Sequence, residues 1–477
     1  MSKLLWAAFF LLFGCEPFPR GIALCTRTPR YAELTASALT VSRVCVDDSA
    51  IVGFGGKVVV AQVLANAGLE LVADAQCDWR LVLTLAPPPA LGGAADAVWN
   101  AGAASPERHA VYSELVANQA LSMIYAETDR GAVYGVRAAV AALTTAAGKD
   151  EKNIFQSGTL VDYPSFPLRG VVESIYGKTY SLAERQTTLQ LMSCMGENIY
   201  VYGQKDKDLY THYQWADPYP EDQAAALRSS AVTASENLIP FVWGISPGWW
   251  GGADFIKDSI CYSCDDDFER LKRKTEAMRA LGISRFALLL DDLTPTLPWA
   301  ADATKFNTLA KAHAFLINRW DDYLMATGAR EHLLVVGDKY TSDDTNQLSG
   351  VGWQFYNREL GAAVRPGVQI FWTGPQVFSA SITAADLEPI DQLLERKVLV
   401  WSNWPRTVAA LDGLAVELPT VASGLFSCPV INQNRAHPVA AFWPVLGTAA
   451  DYAWRPESYV PAESFARWQD RISAIRH

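Results

Sequence analysis

From about residue 168 onward, short apolar runs alternate with longer amphipathic segments. The apolar runs are typical of strands that are buried on both faces of a parallel sheet. The intervening segments have helical periodicity and are long enough to return the chain to the starting edge of the sheet. The predicted strands are 168–174, 198–202, 239–245, 284–290, 333–336, 369–372 and 398–401, with an eighth expected near 422–426. The predicted helices between them are 182–195, 221–236, 265–281 and 305–327.

This alternation predicts an α/β fold, with a (β/α)8 barrel of the TIM type over residues 163–430. In such a barrel the catalytic groups stand at the carboxyl ends of the strands. Residues 431–477 are predicted to form a helical extension that packs on the barrel, with a terminal helix over 462–475.

The pattern before the barrel is mixed, and residues 30–150 are predicted to form a small α+β domain. Residues 149–167 are largely polar and predict the boundary between the two domains. The predicted elements are strands at 39–41, 58–60, 79–85 and 121–126, a loop at 91–105 and a helix at 132–146, although 57–67 also permits a helix.

The first residues resemble a processing signal. Lys3 precedes the apolar run 4–13, and a small residue and Cys15 follow. This order is typical of a bacterial lipoprotein signal over residues 1–15, which leaves Cys15 as the lipidated N-terminus. We therefore expect an exported protein in the periplasm or at the cell surface, with membrane anchoring through Cys15. An ordinary secretory signal is the alternative.

Cysteine usage agrees with an oxidising compartment. The chain has eight cysteines, and removing Cys15 leaves an odd number, so at least one free thiol or an intermolecular bond is expected. Cys261 and Cys264 are separated by two residues, without a second such pair. We predict a local disulfide or two free thiols there, rather than a zinc site.

Composition narrows the range of functions. The formal net charge is −11 and no basic stripe is present, so a nucleic-acid partner is not expected. The six histidines have no metal-binding spacing, and no metal or cofactor is predicted. Trp, Tyr and Phe number 16, 18 and 19. Such aromatic side chains suit the apolar faces of sugar rings, although core packing explains most of them.

The most informative feature is the pair Asp291-Asp292, which follows the apolar run 286–290. Two adjacent carboxyl groups at a strand end can be driven to different pKa values, as acid–base chemistry requires. Aspartate is also common after a strand as a turn former or helix cap. The other strand ends favour the functional interpretation, because polar and aromatic residues follow them too. These are Glu173 to Gly177, Tyr202 to Asp206, Ser246 to Trp250, Asp338 to Tyr340, Trp372 to Gly374 and Trp401 to Pro405.

These strand ends resemble glycoside hydrolase family 84 in an ordered set that covers nearly all of the chain from about residue 30. The family comprises β-N-acetylglucosaminidases, including the O-GlcNAcases and the bacterial enzymes once called hyaluronidases. The segments that carry the resemblance are Arg169 to Glu173 with Tyr176-Gly177, Lys205-Asp206, Ile245 to Gly248, 286–292, Trp372 to Gly374, Trp401-x-Asn403-x-Pro405 and 449–456. Residues 126–142 and 162–166 resemble the small domain that precedes the barrel in this family.

The resemblance implies a substrate-assisted mechanism, in which the sugar's own 2-acetamido oxygen is the nucleophile. It implies that Asp291 orients the acetamido N–H and that Asp292 is the general acid and then the general base. Tyr340 is implied to hydrogen-bond the acetamido carbonyl. The remaining implied substrate contacts are Gly170 and Lys205 at a sugar hydroxyl, Thr373 and Trp401 in the acetamido pocket, and Asn403 at the sugar and acetamido region.

Three places depart from the family pattern. Val408 stands where the family commonly has an aspartate for the outer sugar hydroxyls, and Cys428 replaces an asparagine near the last strand. Ser174-Ile175 stand where the family usually has Gly-Phe after the glutamate that corresponds to Glu173. The expected function is a retaining exo-β-N-acetylglucosaminidase that acts on β-GlcNAc in glycans or glycoproteins. The alternatives are a non-catalytic glycan-binding protein on the same fold, and a hyaluronidase-like or other N-acetylhexosaminidase specificity.

Overall fold

The computed structural model describes residues 27–73, 76–145, 153–173, 179–205, 208–248, 259–344, 352–403, 408–428 and 438–475. Two sheets organise these residues: a mixed sheet in the first part of the chain and a closed barrel of parallel strands after it. Each sheet has its own buried apolar core. The predicted fold class, a (β/α)8 barrel preceded by a small α+β domain, is confirmed.

The mixed sheet forms the small domain together with the helices Lys57–Asn66, Gly93–Ala101 and Asp129–Ala141. Across the sheet the strand order is β1-β8-β5-β6-β4-β2-β3, with β7 beside β8. Buried side chains alternate with partly exposed ones along β4 and β6, so that one face packs on the helices. The strands are β1 (Tyr31–Val41), β2 (Arg43–Asp47), β3 (Glu70–Leu71), β4 (Trp79–Thr84), β5 (His109–Val116), β6 (Gln119–Ala126), β7 (Thr144–Thr145) and β8 (Asn153–Asp162).

The small domain differs from the sequence prediction in several places. Residues 58–60 belong to the helix Lys57–Asn66, which confirms the alternative for 57–67 rather than the strand, and the predicted loop 91–105 contains the alanine-rich helix Gly93–Ala101. Strands β2, β3, β5 and β7 were not predicted. The polar segment 149–167 supplies β8, whose side chains are half-buried at the sheet, so the small domain extends to Asp162.

Eight parallel strands close the barrel in chain order. Every predicted barrel strand is present within two or three residues, including the expected eighth. Their inward side chains fill the barrel with a continuous apolar cluster, because both faces of a barrel strand are buried. The strands are β9 (Leu168–Glu173), β10 (Ile199–Tyr202), β11 (Phe241–Ile245), β12 (Arg285–Leu289), β13 (Leu334–Val336), β14 (Gln369–Trp372), β15 (Leu399–Asn403) and β16 (Gly424–Cys428).

Helices cover the outside of the barrel. The predicted helix 305–327 is two helices, because Thr308 caps a new helix by accepting a hydrogen bond from the Lys311 N–H. Three helices that were not predicted precede β14, β15 and β16. The barrel helices are Leu182–Met195, Glu221–Glu236, Asp265–Ala280, Ala300–Lys305, Leu309–Ala326, Trp353–Ala363, Ala384–Leu394 and Leu418–Val421.

The C-terminal helices Trp443–Trp454 and Pro461–Ile475 pack against the barrel and reach the small domain. The Trp443 indole N–H donates to the hydroxyl of Thr188 on a barrel helix over 3.1 Å. The Trp454 indole N–H donates to the Asp162 carboxylate at the end of β8 over 3.0 Å. These two indoles connect the extension to both domains.

A buried charge cluster joins the two domains at the amino-terminal end of the barrel. Glu107 of the small domain accepts hydrogen bonds from Arg169 on β9, from Arg130, and from the Asn198 amide at 2.9 Å. Burial alone would raise the pKa of Glu107, but the guanidinium groups of Arg169 and Arg130 outweigh it and lower the pKa from 4.5 to about 2. The ionised carboxylate therefore stabilises the folded protein.

Replacing Glu107 with glutamine is expected to lower the free energy of unfolding by about 3–5 kcal/mol, because the fully buried Arg169 then lacks its counter-ion. Denaturant unfolding measures this. Asp322→Asn, at the exposed ion pair with Arg365, is the control and should cost less than about 1 kcal/mol. The stability from Glu107 is present above pH 4.5 and is lost as the pH falls towards about 2. Equal losses of unfolding free energy in the two variants would contradict the stabilising role of the ionised Glu107.

Two disulfides lie within the described residues, Cys45–Cys77 and Cys261–Cys264. The second confirms the local disulfide that was one of the two predictions for this pair. The predicted signal 1–15 and its Cys15 lie outside the described residues. Among the described residues, no helix is both long enough and apolar enough to cross a membrane.

Candidate active site

The chain turns sharply at the carboxyl end of β12, where the paired aspartates stand. Strand pairing ends as the Leu290 N–H donates to the Val336 carbonyl over 2.9 Å. Asp292 then adopts a left-handed backbone conformation, with φ of 57°. Non-glycine residues rarely do so outside functional sites and turns, and aspartate tolerates it better than most. The turn breaks the alternation that would point adjacent strand side chains to opposite faces.

Asp291 is buried and paired with a buried cation from the end of β10. The Lys205 ammonium donates to Asp291 Oδ1 at 2.9 Å and to the Asp291 carbonyl at 3.2 Å. It also donates to the Ser246 hydroxyl at 3.1 Å, which in turn donates to the Leu289 carbonyl at 2.8 Å. Burial raises the pKa of Asp291, the Lys205 charge opposes this, and the neighbouring Asp292 raises it further.

Asp292 has a different partner on the other side of β12. The Tyr340 hydroxyl, from the segment after β13, donates to Asp292 Oδ1 at 3.2 Å. Burial and the two nearby carboxylates raise the pKa of Tyr340, so its hydroxyl keeps its proton and remains a donor. The two carboxyl groups therefore differ in environment, which is the condition for dividing two roles between them.

Thr373, Trp401 and Asn403 stand at the ends of β14 and β15. The Thr373 backbone N–H donates to the Tyr340 carbonyl at 2.8 Å, and its hydroxyl lies 3.2 Å from the same oxygen. The Trp401 indole N–H donates to Asn403 Oδ1 at 2.8 Å, and the Asn403 amide donates to the Val377 carbonyl at 2.9 Å. These residues thus fix one another and the segment that carries Tyr340.

Gly170 is not brought to this edge of the barrel. It is the third residue of β9 and pairs with Ile199, the first residue of β10. A Cβ there would lie 2.6 Å from the Ile199 carbonyl oxygen and 2.7 Å from the Phe426 ring. The structure therefore corrects its implied contact with a sugar hydroxyl: Gly170 is a packing position inside the barrel wall, where a side chain would not fit.

Glu173, at the end of β9, is a third carboxylate near the site, but protein groups occupy it. Arg185 binds both of its oxygens, at 2.7 and 2.9 Å, and the Gln204 amide donates at 2.5 Å. Tyr200 donates to it as well. With these donors on a fully buried carboxylate, Glu173 fixes the strand ends beside Lys205 rather than meeting a substrate.

Val408 and Cys428, two of the positions that depart from the family pattern, carry no carboxylate or amide of their own. Cys428 is buried at the end of β16, beside Asn403 in the strand register. Val408 is partly buried and packs against the barrel core. The amide group at this part of the described rim therefore comes from Asn403, the register neighbour of Cys428.

Sequence reasoning did not assign Ser246 to the site, although it follows a buried run just as Asp291 does. Other strand-end residues that it singled out, 174–177, Asp206, Trp249, Trp250, Trp404 and Pro405, lie outside the described residues. Within the described ranges, no group of three or more His, Cys, Asp or Glu side chains could hold a metal ion.

Comparisons with known proteins identify the family to which this chain is similar. Residues 169–476, well over half of the chain, match the sequence profile of a family described as beta-N-acetylglucosaminidase. The protein O-GlcNAcases of Rattus norvegicus and Mus musculus are each 30% identical to it over 237 residues. That region is 50% of this chain and 24% of each relative, so the chain matches about a quarter of their length.

Solved structures extend the likeness to the fold. A mutant of the Thermobaculum terrenum O-GlcNAc hydrolase aligns with a TM-score of 0.57 and 26% identity, covering 65% of this chain and 63% of that one. CpGH84B aligns with a TM-score of 0.69 and 20% identity, covering 92% of this chain and 72% of that one. The profile match, together with the paired aspartates at the end of β12, shows that the chain belongs to the β-N-acetylglucosaminidase family of glycoside hydrolases, family 84.

Proposed function

We propose that the protein is a retaining exo-β-N-acetylglucosaminidase that releases terminal β-linked GlcNAc from glycans or glycoproteins. The observation that carries this proposal is the pair at the end of β12. Asp291 is bound by the Lys205 ammonium and Asp292 by the Tyr340 hydroxyl, so two adjacent carboxyl groups occupy different electrostatic environments. Family membership and the O-GlcNAc hydrolase relatives support the same substrate class.

The chemistry needs no carboxylate nucleophile. The acetamido oxygen attacks C1 while the bond from C1 to the leaving oxygen breaks, and Asp292 gives its proton to that oxygen. Asp291 accepts the acetamido N–H and stabilises the charge that develops as the oxazoline forms. Water then attacks C1 from the leaving-group side while the bond from C1 to the acetamido oxygen breaks, which regenerates the acetamido group, and the water gives its proton to Asp292. The two inversions at C1 leave a product with retained β configuration.

The contacts of Lys205 and Tyr340 support these different roles of Asp291 and Asp292. The Lys205 ammonium favours the ionised form of Asp291, which is the form that accepts an N–H. Tyr340 keeps its proton, so its single O–H, which donates to Asp292 in this structure, can turn to the acetamido carbonyl when substrate binds. Its donation to the attacking oxygen would align that atom with C1.

A second candidate is activity on a different N-acetylhexosamine. Val408 and Cys428 offer no strong hydrogen-bond acceptor where the family commonly binds the outer hydroxyls of the sugar. Losing a partner for a buried hydroxyl costs about 1–3 kcal/mol. This favours either weaker GlcNAc binding or a sugar with another outer edge, such as β-GalNAc or a hyaluronan-type chain.

Turnover of nitrophenyl β-glycosides tests these proposals. We expect hydrolysis of the β-GlcNAc compound, retention at C1 by NMR, and no hydrolysis of the β-glucoside, which lacks the acetamido group. Fluorination of the acetyl group should lower kcat/KM progressively, because it weakens the nucleophile. Glucoside cleavage at a similar rate would contradict acetamido participation. Faster β-GalNAc cleavage would favour the second candidate, and glycan binding without any turnover would favour a non-catalytic role.

We also propose that the protein is exported and anchored through a lipidated Cys15. The leader-like sequence and the disulfides Cys45–Cys77 and Cys261–Cys264 support an oxidising compartment. The mass of the mature N-terminal peptide measures this: a diacylglycerol-modified Cys15 is expected, and an unprocessed Met1 would contradict it.

A further inference from the structure

Three buried polar rings form a chain of hydrogen bonds outside the site described above. His313, on the helix Leu309–Ala326, stands between two tyrosines. Its Nδ1 lies 2.7 Å from the Tyr356 hydroxyl and its Nε2 lies 3.0 Å from the Tyr262 hydroxyl. All three side chains are at most 3% exposed. Their polar atoms are therefore satisfied by one another rather than by bulk water.

One end of this chain holds the segment that carries Tyr340. The backbone N–H of Asp338 donates to the Tyr356 hydroxyl at 3.0 Å. The next residue of the same helix, Asn357, donates through its side-chain amide to the Lys339 carbonyl at 3.0 Å. Two adjacent side chains of one helix thus fix the two residues that immediately precede Tyr340.

The other end is fixed by a short disulfide loop. Tyr262 lies between Cys261 and Cys264, which form a disulfide. The backbone N–H groups of Tyr262 and Ser263 each donate to the fully buried Asp302 carboxylate at 2.8 Å. The disulfide and the two hydrogen bonds to Asp302 therefore fix the position of Tyr262 at this end of the chain of rings.

The imidazole is suited to connect two hydroxyls. Burial lowers the pKa of His313 to about 3, so the ring is neutral at physiological pH. A neutral imidazole has one N–H donor and one acceptor nitrogen. It can accept from one tyrosine while it donates to the other, which leaves no ring nitrogen unpaired in an apolar environment.

We propose that Tyr262, His313 and Tyr356 are positioning residues that hold Tyr340 at the distance from Asp292 that the reaction requires. This inference rests on the proposed function, because it assigns Tyr340 a role in the reaction. None of the three rings need touch the substrate. They act through the backbone of residues 338–340, and small displacements of a positioned group are known to cost large factors in rate.

The first experiment compares Tyr356→Phe with Tyr452→Phe as a matched control. Tyr452 is equally buried and its hydroxyl makes one bond, to the Ala415 carbonyl at 2.6 Å, outside the chain of rings. We expect Tyr356→Phe to lower kcat about tenfold with little change in KM, a loss equivalent to misalignment of one group. Tyr452→Phe should keep kcat within about twofold at a similar loss of Tm. Equal kcat losses in the two variants would overturn the proposal.

A double-mutant cycle tests whether the effect passes through Tyr340. In a Tyr340→Phe background, Tyr356→Phe should cause no further loss of kcat, because the hydroxyl that it positions is already gone. Additive losses would overturn the proposal. His313→Gln and Tyr262→Phe should follow the same pattern, with the smallest effect at Tyr262, the ring furthest from Tyr340.

Hydrogen exchange gives a readout that does not depend on activity. Tyr356→Phe should speed amide exchange in the peptide that contains residues 338–341, whereas Tyr452→Phe should not. Unchanged exchange there would overturn the proposed positioning. If the unaltered protein cleaves no N-acetylhexosaminide, the proposed function fails, and faster exchange in Tyr356→Phe alone would still support the mechanical link to Tyr340.

Discussion

Replacing Asp292 with asparagine is expected to lower kcat/KM by about a thousandfold for a β-GlcNAc substrate with a poor leaving group. General acid catalysis contributes about 10²–10⁴-fold, and a side-chain amide at this position could neither protonate the departing oxygen nor deprotonate water. Asparagine preserves the side-chain shape and tolerates the left-handed backbone at this position, where φ is 57°. The loss should therefore reflect chemistry rather than misfolding, and steady-state kinetics with an unchanged Tm would verify it.

The dependence on the leaving group distinguishes the two aspartates. A dinitrophenyl glycoside needs little protonation, so Asp292→Asn should lose much less activity on it than on a methylumbelliferyl or alkyl glycoside. Asp291→Asn weakens the acetamido nucleophile instead, so its loss should be similar across leaving groups. Azide should restore turnover only to Asp292→Asn with the activated substrate. If the two variants show the same leaving-group dependence, the division of roles is wrong.

Replacing Lys205 with methionine is expected to move the acid limb of the kcat/KM profile to higher pH by about one to three pH units. Burial and Asp292 already raise the pKa of Asp291, and the ammonium 2.9 Å away is what opposes them. Without that charge, Asp291 takes up its proton at a higher pH. Activity that requires ionised Asp291 is then lost from the acid side first, and pH–rate profiles of the free enzyme report this.

Ser246→Ala is the matched control for Lys205. It removes the hydroxyl that binds the same ammonium at 3.1 Å but keeps the positive charge beside Asp291. Its acid limb should therefore stay close to that of the unaltered enzyme, even if kcat falls. Lys205→Met should also lower the free energy of unfolding by about 3–5 kcal/mol at neutral pH, because it leaves a buried carboxylate unpaired. An unmoved acid limb in Lys205→Met would show that this ion pair does not control Asp291.

The barrel was predictable because its strands are buried on both faces. Uninterrupted apolar runs such as 286–290 and 398–401 have few alternative explanations when helices separate them. The small domain lacks this signal. Strand β8 is half-buried and polar, and its pairing with β1 and β5 depends on residues more than forty positions away. The helix Gly93–Ala101 is alanine-rich and was hidden by the glycines at its start.

The site residues were predictable where reactive side chains follow shortly after a strand. Asp291, Asp292, Lys205 and Tyr340 are brought together as expected, because parallel strands end at one rim. The predicted contact of Gly170 with a sugar hydroxyl was wrong. It came from the family resemblance alone, whereas Gly170 lies within strand β9 rather than at its carboxyl end. His313, Tyr356 and Asn357 could not be identified from the pattern, since polar residues on helices are ordinarily solvent-facing and only the packing shows what they meet.

The charge cluster between the domains affects how the chain unfolds and how its domains can evolve. Glu107 lies in the small domain, whereas Arg169 and Asn198 lie in the barrel. Separating the domains would leave the buried Arg169 without its counter-ion and Glu107 with Arg130 alone, so partial unfolding is disfavoured and the two domains should melt in one cooperative transition. Loss of the small domain during evolution would require simultaneous replacement of Arg169 and Asn198. The stability of the small domain is thus coupled to that of the barrel, although the charge cluster lies at the opposite end of the barrel from the aspartate pair.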